Sequence, residues 1–116
     1  MVERTFWIDT APGTGTIVVR GDLDLGAVTA FEQAMRAPIE QGGPVTVDAS
    51  ELEFMDSTGV RLLIHTAQRL EPSGCIIVHG LTESVQRVVD LTGIGERVQN
   101  MHFIPHKRPL PDQPAT

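Results

Sequence analysis

A chain of 116 residues has room for one hydrophobic core and little more. Hydrophobic residues at 41% and charged residues at 21% describe a globular domain and exclude a disordered chain. Fifteen acids against nine Lys and Arg give a net charge of −6, which argues against nucleic acid or an anionic membrane as main partner. A single cysteine, Cys75, cannot form an internal disulfide, and the start Met1-Val2-Glu3-Arg4 is followed by no apolar leader. No apolar run approaches transmembrane length, so a small cytoplasmic protein is expected.

Thr5–Asp9 and Thr16–Arg20 are β-branched and aromatic runs around a Pro/Gly turn, which predicts a hairpin in which, of Phe6 and Trp7, one is buried and the other partly exposed. Val28, Phe31, Met35 and Ile39 then recur at helical spacing, with Asp24 a candidate N-cap and Pro38 expected to end or kink the helix. Gln41-Gly42-Gly43-Pro44 is a breaker, and Val45–Asp48 reads as a strand. A second helix starts near Ser57 or Thr58, carries the stripe Val60, Leu63, Ile64, Ala67, Leu70, and stops at Glu71-Pro72-Ser73-Gly74. Cys75–Val78 is a continuous apolar run, as expected of a strand buried on both faces, with Cys75 a small core side chain. Thr82 is placed to cap a third helix bearing Val85, Val88 and Val89 and ending at Gly93, and a weaker apolar stretch lies between Arg97 and Ile104. From Pro105 the chain holds four prolines in twelve residues without periodicity, which predicts a disordered tail at 105–116 after a domain at 1–104.

The order β-β-α-β-α-β-α-(β) predicts an α/β domain with a mostly parallel central sheet of four to five strands. Sequential strand order would place every helix on one face. The loops after the second and third strands would then meet at the carboxyl edge of the sheet, where such folds carry their sites. Residues 21–60 hold eight acids and one base, a net −7, leaving +1 elsewhere. Asp22, Asp24, Asp48, Glu51, Glu53 and Asp56 are expected in those edge loops, forming an acidic pole.

Phe54-Met55-Asp56-Ser57-Thr58-Gly59 is the most informative stretch. A hydroxyl at a helix start serves as an N-cap, or stands exposed at the positive end of the helix dipole, where backbone amides can hold a phosphate. Gly59 leaves that turn open to close approach by a partner. A serine-hydrolase elbow would need Gly at position 55, which is Met. His65 lies about 12 Å further along the same helix and cannot act as base for Ser57, and His79 is a poor candidate. His102 and His106 flank Pro105 and lack further ligands, and an acid pair such as Asp24 and Asp56 is by itself no magnesium site. No catalytic residues, metal or cofactor are expected. A small nucleotide-binding protein is the enzyme-class alternative, although no phosphate-binding Gly-rich motif opens a helix.

Three stretches together resemble the STAS domain family of anti-sigma factor antagonists: Val19-Arg20-Gly21-Asp22-Leu23-Asp24, then Val45–Asp48 through Met55-Asp56-Ser57-Thr58-Gly59-Val60, and Ser84-Val85 through Leu91-Thr92-Gly93-Ile94. The resemblance spans residues 5–104 and implies a non-catalytic protein-binding module. It implies phosphorylation of Ser57 by an anti-sigma factor serine kinase, reversal by a cognate phosphatase, and a binding surface of Asp22, Asp24, Asp56, Ser57, Thr58 and Gly59. It also leaves room for a weak homodimer, and for an accessory or scaffold role in a transporter or stress-signalling complex. One departure stands out: family members carry a final helix after the last strand, where this chain turns Pro-rich.

Overall fold

The structure is a computed structural model that describes residues 6–10 and 15–105. Five strands, β1 (Phe6–Thr10), β2 (Thr16–Leu23), β3 (Val45–Met55), β4 (Ile76–Leu81) and β5 (Met101–Pro105), form one sheet in sequential order. β1 pairs antiparallel with β2, and all other pairs are parallel. Between them run α1 (Val28–Glu40), α2 (Ser57–Leu70), α3 (Glu83–Thr92) and the short α4 (Ile94–Arg97). The expected α/β architecture, with helices on one face, is the one found.

Alternation along the strands separates the two faces. Ile17, Val19, Val45, Val47, Ala49, Ile76, Val78 and Met101 point into the core against Phe31, Met35, Leu63 and Val85 from the helices. Val18, Thr46, Asp48, Ile77 and His79 lie on the other face and are only half-buried. The apolar run at Cys75–Val78 is therefore covered on one face alone. Cys75 precedes β4, half-buried, and its carbonyl accepts from Val45 N. Phe6 is buried and Trp7 is 49% exposed, as the strand alternation predicts.

Two elements run longer than their sequence signals. α1 continues through Pro38 to Glu40, because a proline in the last turn removes one amide bond at a helix end that is about to close anyway. Gln41 N donates to Ala37 O and Gly43 N to Pro38 O, completing that end. β3 extends to Met55 although its second half is polar. β4 pairs with β3 only from Val45 to Asp48, so the later residues have β2 on one side and need not be apolar throughout. Two of their carbonyls are met from α3: Thr82 Oγ1 donates to Leu52 O and Ser84 Oγ to Glu53 O. Thr82 thus stands at the expected N-cap position, but its hydroxyl ties the helix to β3 and makes no capping bond.

The longer β3 redistributes the acids. Only Asp24 and Asp56 lie in edge loops; Asp22 and Glu53 sit in the last turns of strand, and Asp48 and Glu51 lie well inside β3. Glu51 and Asp9 bracket Arg20 at 3.0 and 3.1 Å, holding the exposed guanidinium more firmly protonated. Asp48 is the register partner of His79. Burial pushes its carboxyl up, but the hydrogen bonds from Ser50 and the nearby His79 and Arg20 outweigh burial and leave it below the usual carboxylate range. A lowered folded-state pKa gives stability that is present above the unfolded value and lost as pH falls through the folded one. Asp48→Asn should therefore flatten the loss of stability below about pH 4, read from urea midpoints across an acid series. An unchanged acid limb would remove Asp48 from that role.

The predicted turn at residues 11–14, and the disordered tail expected from residue 106 onward, fall outside the described residues. Pro105, placed in that tail by its sequence, is the last residue of β5.

Candidate functional site at the carboxyl edge of the sheet

Asp56, and not Ser57, caps α2. Its Oδ1 accepts from Thr58 N at 2.9 Å and from Gly59 N at 3.3 Å, while its carbonyl accepts from Val60 N. This follows from the residue order: an aspartate in extended backbone immediately before the helix has the geometry to reach the second and third helical amides. Ser57 then occupies the first helical position, exposed, with no side-chain hydrogen bond among the described residues. The amides that might have held a phosphate, those of Thr58 and Gly59, are already bonded to Asp56. The site offers an accessible hydroxyl beside a carboxylate, and it does not offer a preformed phosphate cradle.

Asp56→Ala should cost about 1 kcal/mol, within the 0.5–2 kcal/mol range for lost caps, and Asp56→Asn much less, since an amide oxygen can also cap. Urea unfolding of the two variants checks this; equal losses would mean that charge, and not the cap, sets the effect.

Asp24 repeats the device one loop away. Its Oδ1 accepts from Gly26 N at 3.0 Å and its carbonyl from Ala27 N, turning the chain from β2 through the 3-10 turn Leu25–Ala27 into α1. The two loops are locked together at Gly59, which is buried. A Cβ there would lie 2.5 Å from Leu23 O and 2.5 Å from Met55 Cγ. The close approach that Gly59 permits is thus to the end of β2, the chain's own backbone, and not to a partner. It brings the Asp24 turn against the first turn of α2.

Asp22 is half-exposed and pairs with Phe54 across β2 and β3. The register shifts there, between Gly21 and Asp22, so that Leu52 and Met55 face the core while Phe54 turns outward, 49% exposed. Leu25, beside Asp24, is 77% exposed. These two apolar side chains belong to the same edge as Asp24, Asp56 and Ser57, and sequence reading did not single them out. Leu25 lies outside the α1 stripe, which was a usable signal, whereas the outward turn of Phe54 depends on a bulge that spacing does not reveal.

His79 and Asp48 are register partners on the uncovered face, and His65 is exposed along α2. Among the described residues no group of three or more His, Cys, Asp or Glu converges as a metal site, and no helix is long and apolar enough to cross a membrane. His106 lies outside the described residues.

A one-faced, mostly parallel sheet with an acid-capped helix presenting Asp-Ser-Thr-Gly at its edge defines a class of small α/β modules. Comparison with known proteins gives the class its name. Residues 7–104 match the family model described as Mlab, STAS domain, and the chain belongs to the STAS domain family. It is 31% identical over 81 residues to an anti-sigma-B factor antagonist of Staphylococcus epidermidis, covering 67% of this chain and 74% of that protein. It is also similar to the crystal structure of an anti-sigma factor antagonist from Mycobacterium paratuberculosis. There the TM-score is 0.69 at 25% identity, over 84% of this chain and 85% of that one. The anti-sigma factor antagonist SpoIIAA in its unphosphorylated form shares the fold, with a TM-score of 0.58 at 23% identity over 95% and 93% of the two chains.

Proposed function

We propose that this chain is a cytoplasmic anti-sigma factor antagonist. In this reading it is a non-catalytic module that binds an anti-sigma factor serine kinase through the carboxyl edge and is switched off when Ser57 is phosphorylated. A cognate phosphatase restores the binding form. The observation that carries the reading is the division of labour at α2: Asp56 caps the helix, which leaves the Ser57 hydroxyl exposed for transfer of a phosphoryl group. The family membership and the names of the relatives support the same partner class.

Chemically, Leu25 and Phe54 supply apolar contact and Asp22, Asp24 and Asp56 supply charge, the mixture from which a docking surface is built. The γ-phosphoryl group of ATP would pass to Ser57 Oγ, with the hydroxyl proton lost to the kinase's base and ADP released. The product adds about −1.5 to −2 charges next to Asp56. With the Thr58 and Gly59 amides already bonded to Asp56, little backbone compensation is at hand, and the phosphate meets the partner as unpaired charge. A change of fold is not needed.

The test is a calorimetric titration of this chain into a candidate anti-sigma kinase, before and after phosphorylation. Binding by the unmodified chain and its loss after modification support the switch. Equal binding by both forms would contradict it and fit a constitutive accessory or scaffold subunit, such as one of a transporter.

A further inference from the structure

The exposed side chains of α2 are Ser57, Arg61, His65, Gln68 and Arg69, and the residues between them are buried or half-buried. Their spacing puts them on one stripe of the helix, which begins at the proposed phosphoacceptor. From Ser57 to Leu70 the helix holds no Asp or Glu, although the chain has fifteen. Its first turn therefore carries no acidic side chain after the cap at Asp56, whereas α3 opens on Glu83 and α4 holds Glu96. A phosphoryl group on Ser57 would supply negative charge in that turn, at the positive end of the helix dipole. Arg61 stands four residues on from Ser57. At that separation Cβ atoms lie about 5–6 Å apart, and an acid preceding a base is the favourable order. Side chains on a helix tilt towards its N-terminus, so the Arg61 guanidinium leans towards position 57.

We propose, resting on the reading of Ser57 as phosphoacceptor, that Arg61 receives the phosphoryl group once Ser57 is modified. Its guanidinium donates to the phosphate oxygens across one helical turn and holds the group along the outer stripe of α2. Arginine suits this place because its planar fork can give two parallel hydrogen bonds to a phosphate. His65 lies about 12 Å from Ser57 along the helix and Arg69 about 18 Å, so Arg61 is the cation of this stripe within reach. The guanidinium offsets one of the about two added charges, and the remainder stays beside Asp56 for the partner to meet. Modification then changes the proposed docking edge at two points. It adds an anion at position 57 and engages the exposed cation at position 61, which the unmodified chain presents to solvent.

The test installs phosphoserine at position 57 during translation, in the parent, Arg61→Gln, Arg61→Lys and Arg69→Gln chains. All three substitutions are at exposed positions of α2 and keep good helix formers, so the fold is retained. The second ionisation of the phosphate, ordinarily near about 6, is followed by ³¹P spectra at low salt. Asp56 and His65 are common to all four chains and cancel from the comparison. The expected result is a phosphate that titrates about 0.2–0.4 higher in Arg61→Gln than in the parent, between the two in Arg61→Lys, and as the parent in Arg69→Gln. The difference between the parent and Arg61→Gln should shrink in about 1 M salt, where the screening length falls to about 3 Å. The Arg61 Nε–H resonance should also move between the unmodified and phosphorylated parent. Equal titrations of the parent and Arg61→Gln, or an equal displacement in Arg69→Gln, would overturn the proposal. Because the phosphoserine is installed without a kinase, these results are independent of whether Ser57 is a kinase substrate. Failure of that reading shows separately, as absence of phosphate on Ser57 of the parent after treatment with ATP and candidate kinases.

Discussion

Gly59→Ala should lower stability by roughly 3 kcal/mol, the upper part of the range for overpacking, and lower Tm by roughly 10–20 °C. In an exposed helix the same change would add up to about 1 kcal/mol, because alanine is the better helix former. Here the new methyl carbon would sit 2.5 Å from both Leu23 O and Met55 Cγ. Met55 is fully buried and the Leu23 carbonyl belongs to the strand backbone, so neither can give way without moving β2 or β3. The displaced carbonyl is next to Asp24, so the variant should also disturb the proposed docking edge. Gly26→Ala is the control: among the described residues its Cβ would meet only Asp24 Oδ1, at 3.4 Å, and should change stability by less than about 0.5 kcal/mol. Thermal melts of the pair distinguish tight packing from a general intolerance of the edge; equal Tm values for Gly59→Ala and the parent would refute the packing.

Ser57→Asp should weaken binding of the proposed partner, an anti-sigma factor kinase, about a hundredfold, equivalent to about 2.7 kcal/mol, while Ser57→Ala binds as the parent does. Ser57 makes no internal side-chain bond among the described residues, so neither change removes a folded-state contact, and both variants should unfold within about 0.5 kcal/mol of the parent. A new carboxylate at position 57 lies beside Asp56, whose own oxygen is committed to two backbone amides and cannot move away. A partner surface matched to one carboxylate at this point would then confront two. Surface titration of the three proteins against one kinase measures the difference. Loss of binding in Ser57→Ala as large as that in Ser57→Asp would mean that the hydroxyl itself is a contact, and that charge is not what switches the complex.

The order of elements was readable because each apolar stripe agrees with one period: Val28, Phe31 and Met35 at helical spacing, and Phe6 against Trp7 at strand spacing. What escaped reading was set by neighbours in space. The sequence of β3 turns polar after Asp48, as a loop would, yet the strand continues because β2 still pairs with it and Thr82 and Ser84 reach across to its carbonyls. That extension moved Asp48 and Glu51 off the edge, and with them part of the acidic pole inferred from segment charge. The Asp-Ser-Thr-Gly stretch was legible as a helix start, but which residue capped it was not. Asp56 and Ser57 both cap well, and only the backbone angles settle the matter in favour of Asp56. Gly59 likewise signals close approach from sequence alone, whereas the identity of what approaches, Leu23, is tertiary information.

The proposed phosphoacceptor is tested most directly by intact-mass and fragment analysis of the chain after incubation with ATP and a candidate anti-sigma factor kinase. One added phosphate is predicted, mapped to the exposed Ser57 and absent from Ser57→Ala. A phosphate retained on Ser57→Ala, or mapped to the half-buried Thr58, would contradict the assignment of the switch.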